Sequence, residues 1–159
     1  MTDSWDAFAG ALQEESSLLM RVHDAAQRLT KALVSNNLTE ISAAERELDS
    51  ARQTYQSASG KRRGMQVRGF GSLTLRQVCG YAPRAMWPVL GQRIQELTTT
   101  SIALGITTNN NKSLIIGGME RLMKVTAALQ KAHNDGPGTY KRRGFVPPPT
   151  NSVLLSSKV

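Results

Sequence analysis

The residue types that most often carry catalysis or bind metals are few in this chain and lie far apart. His23 and His133 are the only two histidines, and they fall at far ends of different predicted helices. Cys79 is the only cysteine, and its apolar neighbours favour a packed thiol over a nucleophile. Glu14 and Glu15 are adjacent, so on a helix their carboxylates face different directions. The sequence therefore predicts no catalytic residue, no metal ligand and no cofactor, and a protein that is not an enzyme.

Glycine and basic residues raise two further kinds of chemistry, phosphate binding and contact with an acidic surface. The Gly-Phe-Gly run at residues 69–71 lacks the spacing and the following Lys-Ser/Thr of a phosphate-binding loop. Residues 60–71, GKRRGMQVRGFG, and 139–145, TYKRRGF, each join a Lys-Arg-Arg triplet to glycine and an aromatic residue. Such segments suit nucleic acid, through phosphate contacts and stacked bases, and they also suit an acidic protein surface. Such runs are usually only solvated, so a third interpretation is that they contact water alone, and nucleic-acid binding is disfavoured.

The charge is unevenly distributed along the chain. Residues 1–60 carry 9 acidic and 5 basic side chains, whereas residues 61–159 carry 3 acidic and 15 basic side chains. The net charge of the whole chain is +8. The basic half can therefore meet an acidic partner or the acidic half of the fold.

No apolar run approaches the roughly 18 residues of a membrane span, and the N-terminus lacks the order of a signal peptide. These features predict a cytoplasmic protein without membrane insertion.

Apolar residues at helical spacing predict an N-terminal helical hairpin over residues 4–68. In the first helix they recur at intervals of three, four or seven residues, a pattern typical of a coiled coil. They are Trp5, Phe8, Leu12, Leu19, Val22, Ala26, Leu29 and Leu33. Glu15 interrupts this apolar seam. A polar turn at 35–37 precedes Leu38, which opens a second helix, and so short a loop requires the two helices to be antiparallel.

Residues 106–125, ITTNNNKSLIIGGMERLMKV, give two conflicting signals. The asparagine run and the Gly117-Gly118 pair are typical of a loop, and two glycines cost a helix about 2 kcal/mol relative to alanine. The apolar spacing nevertheless continues through the stretch without a change of phase. The positions at this spacing are Leu90, Ile94, Leu97, Ser101, Leu104, Thr108, Asn111, Ile115, Gly118, Leu122, Val125 and Leu129. The sequence therefore predicts one long helix over 85–134, after a short connector at 69–84.

Together these elements predict an all-α protein, an elongated antiparallel three-helix coiled-coil bundle whose third helix is the longest. One helical domain spans residues 1–135. Residues 135–159 are predicted to be a flexible basic C-terminal tail that only contact with another chain would order, because Pro137 and the proline run at 147–149 cannot continue a helix. The polar residues Ser101, Thr108 and Asn111 in the seam of the third helix have two explanations. They select the helix register, or they mark weakly held turns that a partner remodels.

Three segments resemble the FlgN-type flagellar export chaperones. The N-terminal hairpin has an early LQEE stretch, a polar turn and the charged segment AAERELDSAR. The segment MWPVLGQRIQELTTTSIALGITTNNNKSLIIGGMERLMKV is similar to the family's long C-terminal helix, with an asparagine-rich stretch before Leu114 and Ile115. The segment GTYKRRGFV is placed like the family's short tyrosine-containing tail. The resemblance covers roughly residues 8–145.

The resemblance implies a cytoplasmic chaperone of bacterial flagellum biogenesis and type III protein export. Such proteins bind the C-terminal helical segments of hook-associated proteins, the hook–filament junction proteins. They prevent premature assembly and deliver this cargo to the export gate or the export ATPase complex. In the tail, the candidate contact with that machinery is formed by Tyr140, Lys141, Arg142 and Arg143. A coiled-coil adaptor or a secretion chaperone with other cargo fits the same helices.

Helix lengths alone predict a binding surface on the third helix. At 1.5 Å per residue its nearly fifty residues span about 75 Å, and a first helix of about 32 residues covers it only to about residue 117. The predicted cargo surface, near and beyond that point, consists of Leu114, Ile115, Met119, Leu122, Met123, Val125 and Leu129. An amphipathic helix of a partner would fill it. A homodimer, or a third helix that folds back, is the competing explanation.

Overall fold

The described chain is built from helices. A computed structural model describes residues 2–134, and in that range it contains four α-helices, one short 3-10 helix and no strand. The elements are α1 (Thr2–Ser35), α2 (Leu38–Phe70), α3 (Leu75–Gly80), the 3-10 helix (Arg84–Met86) and α4 (Trp87–Asn134). The prediction of an all-α helical bundle is confirmed. The predicted tail at 135–159 lies outside the described residues.

Two asparagines form the turn between α1 and α2. Asn36 adopts a left-handed backbone conformation with a φ of 55°, which asparagine tolerates better than most residues. Asn37 caps α2, because its side-chain oxygen accepts hydrogen bonds from the backbone N–H groups of Thr39, at 3.1 Å, and Glu40, at 3.3 Å. The chain therefore reverses within a very short turn, and α1 and α2 are antiparallel neighbours as expected.

Capping residues set the connection from α2 to α3. Gly71 ends α2 with a φ of 65°, a left-handed conformation that suits glycine. Thr74 and Gln77 cap α3 reciprocally. The Thr74 hydroxyl accepts from the Gln77 N–H, and the Gln77 side-chain oxygen accepts from the Thr74 N–H at 2.8 Å. Val78 points inward, since its side chain is fully buried.

Helix α4 runs without interruption through the stretch that gave conflicting signals. Residues 106–125 are helical throughout, so the predicted long helix is confirmed, and it starts at Trp87, two residues after the predicted position. Pro88 fits near the start because the first N–H groups of a helix have no partner within it. Thr107 adapts to the helix by donating its hydroxyl to the carbonyl of Ala103, at 3.0 Å.

Small side chains let α1 and α2 pack closely. Alanines occupy many positions where the two helices face each other, which shortens the distance between their backbones. The buried cluster consists of Val22, Ala25, Ala26, Leu29, Ala32, Ala44 and Leu48. Among the helices of residues 2–134, only the pairs α1–α2 and α2–α3 bring their Cα atoms within 8 Å of each other at several positions.

Aromatic rings fill a second core around the start of α1. Trp5 lies against Phe70 with ring centroids 4.9 Å apart, and Phe8 meets both rings edge-on. The other buried members are Leu12, Val78, Ala82 and Leu90. This aromatic core anchors α1, the end of α2, α3 and the start of α4 at one place.

Helix α4 meets α1 along one edge. The contact residues recur every seven positions and are buried or half-buried; they are Leu90, Leu97, Leu104 and Asn111. Ser101 and Thr108, which the predicted seam also included, are exposed. The seam therefore describes the correct side of the helix, but not every seam position is covered by a neighbouring helix.

The chain separates into two compact units between Met119 and Glu120, within α4. The first unit contains both cores. Of the second unit the structure describes helical residues 120–134, and every side chain from Glu120 to His133 is exposed.

Candidate protein-binding surface on helix α4

The predicted cargo surface consists of apolar side chains, most of which are exposed. The exposed fractions are 40% for Ile115, 59% for Met119, 67% for Leu122, 62% for Met123, 56% for Val125 and 65% for Leu129. Leu114 is half-buried. Large apolar residues at helical spacing normally lie in a core, so a row of them in water is typical of a surface that binds a partner.

The charges beside the cargo surface are mostly basic. Residues 120–133 contain Arg121, Lys124 and Lys131 but only one acid, Glu120. Within the part of the chain that the structure describes, none of these four side chains forms an ion pair. Their charges are therefore available to a partner, and they would orient an apolar contact rather than drive it.

A groove that the sequence did not reveal lies between α2 and α4. Its volume is about 540 Å³, and α1 contributes its floor. Leu29 and Leu48 line the floor. Glu45, Asp49 and Arg52 lie on the α2 rim, and Lys112, Ile115 and Ile116 lie on the α4 rim. An apolar floor between charged rims is the composition expected of a groove that receives an amphipathic helix.

Side-chain sizes on α2 and α4 account for the groove. Alanines hold α2 close to α1, whereas α4 reaches α1 through longer side chains such as Leu104. The seam residue of α4 beside the groove is Thr108, whose short polar side chain stays exposed. Such side chains are too small and too polar to complete an apolar layer, so the space beside them remains open.

Asn111 fixes the register of α4 on α1. Its side-chain nitrogen donates to the carbonyl of Ala26 at 3.0 Å, and its oxygen accepts from the Thr30 hydroxyl at 2.6 Å. The side chain is buried with both polar ends satisfied, and a shift of α4 by one turn would leave those groups without partners. This geometry supports register selection, the first of the two explanations for a polar residue in the seam.

Glu15, which interrupted the predicted seam of α1, is buried in an ion pair with Arg62. Arg62 donates to both carboxylate oxygens, at 2.7 and 3.0 Å, and to the side-chain oxygen of Gln66 at 2.7 Å. Gln66 in turn donates to the backbone carbonyl of Leu73 at 2.5 Å. This network ties α1, α2 and the connector together. Sequence reasoning missed it because the two charged residues lie far apart in the chain, and the only signal was an acid at an apolar position.

Opposing effects act on the pKa of Glu15. Burial by itself raises this pKa, whereas hydrogen bonds from Arg62 and Ser59 and the charges of Arg62 and Arg63 lower it. The lowering effects prevail, so the pKa of Glu15 lies below its ordinary value and the carboxylate is ionised at neutral pH. For Cys79, burial raises the pKa of the thiol, which packs against the aromatic core as predicted.

The first basic cluster, residues 60–71, is divided between the fold and the solvent. Arg62 is held by Glu15, and Phe70 lies in the aromatic core, so neither is free to bind a phosphate or stack on a base. The basic side chains that remain exposed are Lys61, Arg63 and Arg68. These placements reduce the support for nucleic-acid binding.

The candidate docking residues of the predicted tail lie outside the described residues. They are Tyr140, Lys141, Arg142 and Arg143.

The histidines do not approach each other or a cluster of acids. The Nε2 atom of His23 lies 3.4 Å from the side-chain nitrogen of Gln27 and 3.4 Å from the hydroxyl oxygen of Thr107. His133 is exposed. Between residues 2 and 134, no group of three or more His, Cys, Asp or Glu side chains could hold a metal ion. Among the helices of the same segment, none has both the length and the apolarity needed to cross a membrane.

No family model, no curated protein and no solved structure matches the chain. The likeness to FlgN-type chaperones therefore stands on the three quoted segments alone. What the structure adds independently is a row of exposed apolar side chains on α4 and, separately, a groove with charged rims that is lined by residues 26–116.

Proposed function

We propose that this protein is a non-enzymatic chaperone that binds an amphipathic helical segment of another protein on the cargo surface of α4. The observation that carries the proposal is the exposure of the large apolar side chains between Met119 and Leu129, at 56–67%. An apolar helix face of this size favours association with a partner. Its methionines suit a changing partner surface, because their flexible thioethers adapt to different shapes.

The specific form of the proposal is a cytoplasmic chaperone of flagellar type III export. Its cargo is the C-terminal helical segment of a hook–filament junction protein, which it shields from premature assembly and delivers to the export gate or export ATPase complex. The three segments that resemble FlgN-type chaperones support this choice. A secretion chaperone or adaptor with other cargo would use the same face of α4.

The size of the cargo surface is sufficient for reversible binding. Burying one large apolar side chain contributes about 1.5–3 kcal/mol at most. Several such side chains together exceed the roughly 8 kcal/mol of micromolar affinity, and the excess offsets the cost of ordering the cargo. Loss of two central side chains should therefore reduce the affinity below a useful level.

Calorimetric titration with a peptide from the C-terminal segment of a junction protein of the same genome tests the proposal. The double variant Leu122→Asp with Val125→Asp should show no detectable binding where the wild type binds at micromolar concentration. Both side chains are more than half exposed in the free chain, so the variant should keep its helicity.

The matched control is Ile102→Asp with Ile106→Asp on the same helix. These side chains are also exposed, at 62% and 59%, but lie outside the cargo surface, so the control should bind the peptide as the wild type does. Unchanged affinity in the Leu122 and Val125 variant would place the site elsewhere. Loss of helicity together with affinity would mean that those residues form part of a core.

A further inference from the structure

Helix α4 contains the only pair of adjacent glycines in the sequence, Gly117 and Gly118. Glycine is a poor helix former, because its backbone loses more freedom on folding than that of any other residue. In a helix interior, each glycine favours the unfolded backbone about fivefold relative to alanine. The other glycines of α4 are single, whereas here two such effects act on one turn. The backbone of α4 is therefore intrinsically weakest at this pair.

Packing holds α4 before the glycine pair but not after it. Leu104 packs on the buried cluster of α1 and α2, and Asn111 is the last buried side chain of α4. Every side chain of residues 119–133 is exposed. Among residues 2–134, the one side-chain hydrogen bond of that segment runs from the Thr126 hydroxyl to the carbonyl of Leu122, within the segment itself. The residues beyond the pair would therefore lose no buried contact if their helix opened.

Residues 119–134 carry the charges that suit a helix in its own right. Glu120 lies in the first turn after the glycine pair, and Lys131 and His133 lie in the last turn of α4. Acidic side chains stabilise the start of a helix, and basic side chains stabilise its end. Glu120 also precedes Lys124 by four residues, an order that supports a helix locally. The chain separates into two compact units at the same place, directly after Met119.

We propose that residues 117–134 open and close as one unit by local unfolding, with the break at Gly117 and Gly118, while residues 87–116 stay helical. The structure shows the closed, helical state of this unit. A helix of about 15 residues is only marginally stable in water without packing. Opening this unit therefore needs far less free energy than opening either core, and it leaves both cores intact.

Opening of this unit regulates the cargo surface, a consequence that rests on the proposed function. Five of the seven cargo-surface residues lie within the unit, namely Met119, Leu122, Met123, Val125 and Leu129. In the open state these side chains no longer form one apolar helix face, so cargo binds the closed state and holds it closed. The glycine pair then lowers the affinity for cargo by the fraction of chains that are open.

Native-state hydrogen exchange of the full chain without peptide tests the proposal. In the wild type, the amides of residues 121–130 should share one protection factor, about tenfold or more below those of residues 97–111, with a step at the glycine pair. The double variant Gly117→Ala with Gly118→Ala should raise the protection of residues 121–130 about tenfold or more, because alanine favours the helix. The added methyl groups are accommodated, since a Cβ atom built on either glycine would meet no atom within 4 Å.

Gly105→Ala is the matched control, because Gly105 also lies in α4 with open space around its Cα atom. It should leave the protection of residues 121–130 unchanged, since it lies outside the opening unit. Protection that declines gradually toward Asn134, with no step at the glycine pair, would indicate ordinary fraying of the helix end and overturn the inference. Unchanged protection in the double alanine variant would also overturn it. Failure of the proposed function would appear separately, as absence of peptide binding, because opening is measured on the free chain.

Discussion

The two ends of α4 are built from the same residue types at the same spacing, yet their surroundings differ completely. Leu90, near the start, is fully buried in the aromatic core, whereas Leu122 is 67% exposed. The difference arises from neighbouring elements, because α1, α2 and α3 all contribute to the core at the first end. Residues 120–133 carry no buried side chain. Periodicity therefore determines which face of a helix is apolar, and packing determines whether that face stabilises the fold or is available for binding.

The largest effect on the anchored end should come from breaking the Glu15–Arg62 ion pair. Arg62→Met should lower the free energy of unfolding by about 3–5 kcal/mol, because it leaves a buried carboxylate without its partner. Denaturant unfolding measures this loss. Adding Glu15→Leu should restore most of the stability, since two well-packed apolar side chains need no counter-ion.

The double variant distinguishes a buried charge from a packing defect. A double variant that stays as unstable as Arg62→Met would mean that the loss comes from the packing of the aliphatic part of Arg62 and not from an unpaired charge on Glu15. In that case the network would not be what holds this end of the bundle together.

A matched pair of truncations tests the difference between the two ends of α4 directly. Leu90→Ala should lower the free energy of unfolding by about 2–5 kcal/mol, because it opens a cavity in a filled core. Leu122→Ala removes the same atoms from an exposed site, and in dilute protein its effect should stay within about 0.5 kcal/mol. Chemical denaturation of both variants supplies the comparison. Equal losses would show that Leu122 belongs to a core.

The smallest effect concerns pH and again belongs to the anchored end. The pKa of Glu15 is lower in the fold than its ordinary value near 4.5, so its contribution to stability is complete above that pH. It is lost as the pH falls through the lower, folded-state pKa, because protonation removes the ion pair. Unfolding measured at neutral and acidic pH should therefore show a steeper acid loss in the wild type than in Glu15→Gln. Parallel pH profiles would assign the acid sensitivity to other groups.

Much of the fold could be predicted from local sequence patterns. The hairpin turn at residues 35–37, the inward position of Val78 and the long helix through 106–125 follow from capping residues and apolar spacing. The helix through 106–125 forms despite its asparagines and glycines because Leu104 and Asn111 pack on α1 in phase with the rest of the seam. Tertiary packing outweighs weak local propensity here.

The features that escaped prediction depend on pairs of residues distant in the chain. Glu15 could be recognised as an exception to its seam, but nothing local identifies Arg62 as its partner. The groove likewise depends on how closely the alanines bring α2 to α1, and on the exposure of Thr108. The exposure of the apolar side chains between Met119 and Leu129 agrees with the expectation from helix lengths, whereas their binding of cargo stays a prediction.

Hydrogen exchange of the backbone amides, with and without the junction-protein peptide, tests the central claim most directly. Cargo binding on α4 predicts that exchange slows in residues 112–133 when peptide is added, while residues 5–30 and 44–58 exchange as before. Slower exchange confined to the α1–α2 hairpin, with residues 112–133 unchanged, would contradict the claim that the exposed face of α4 is the binding surface.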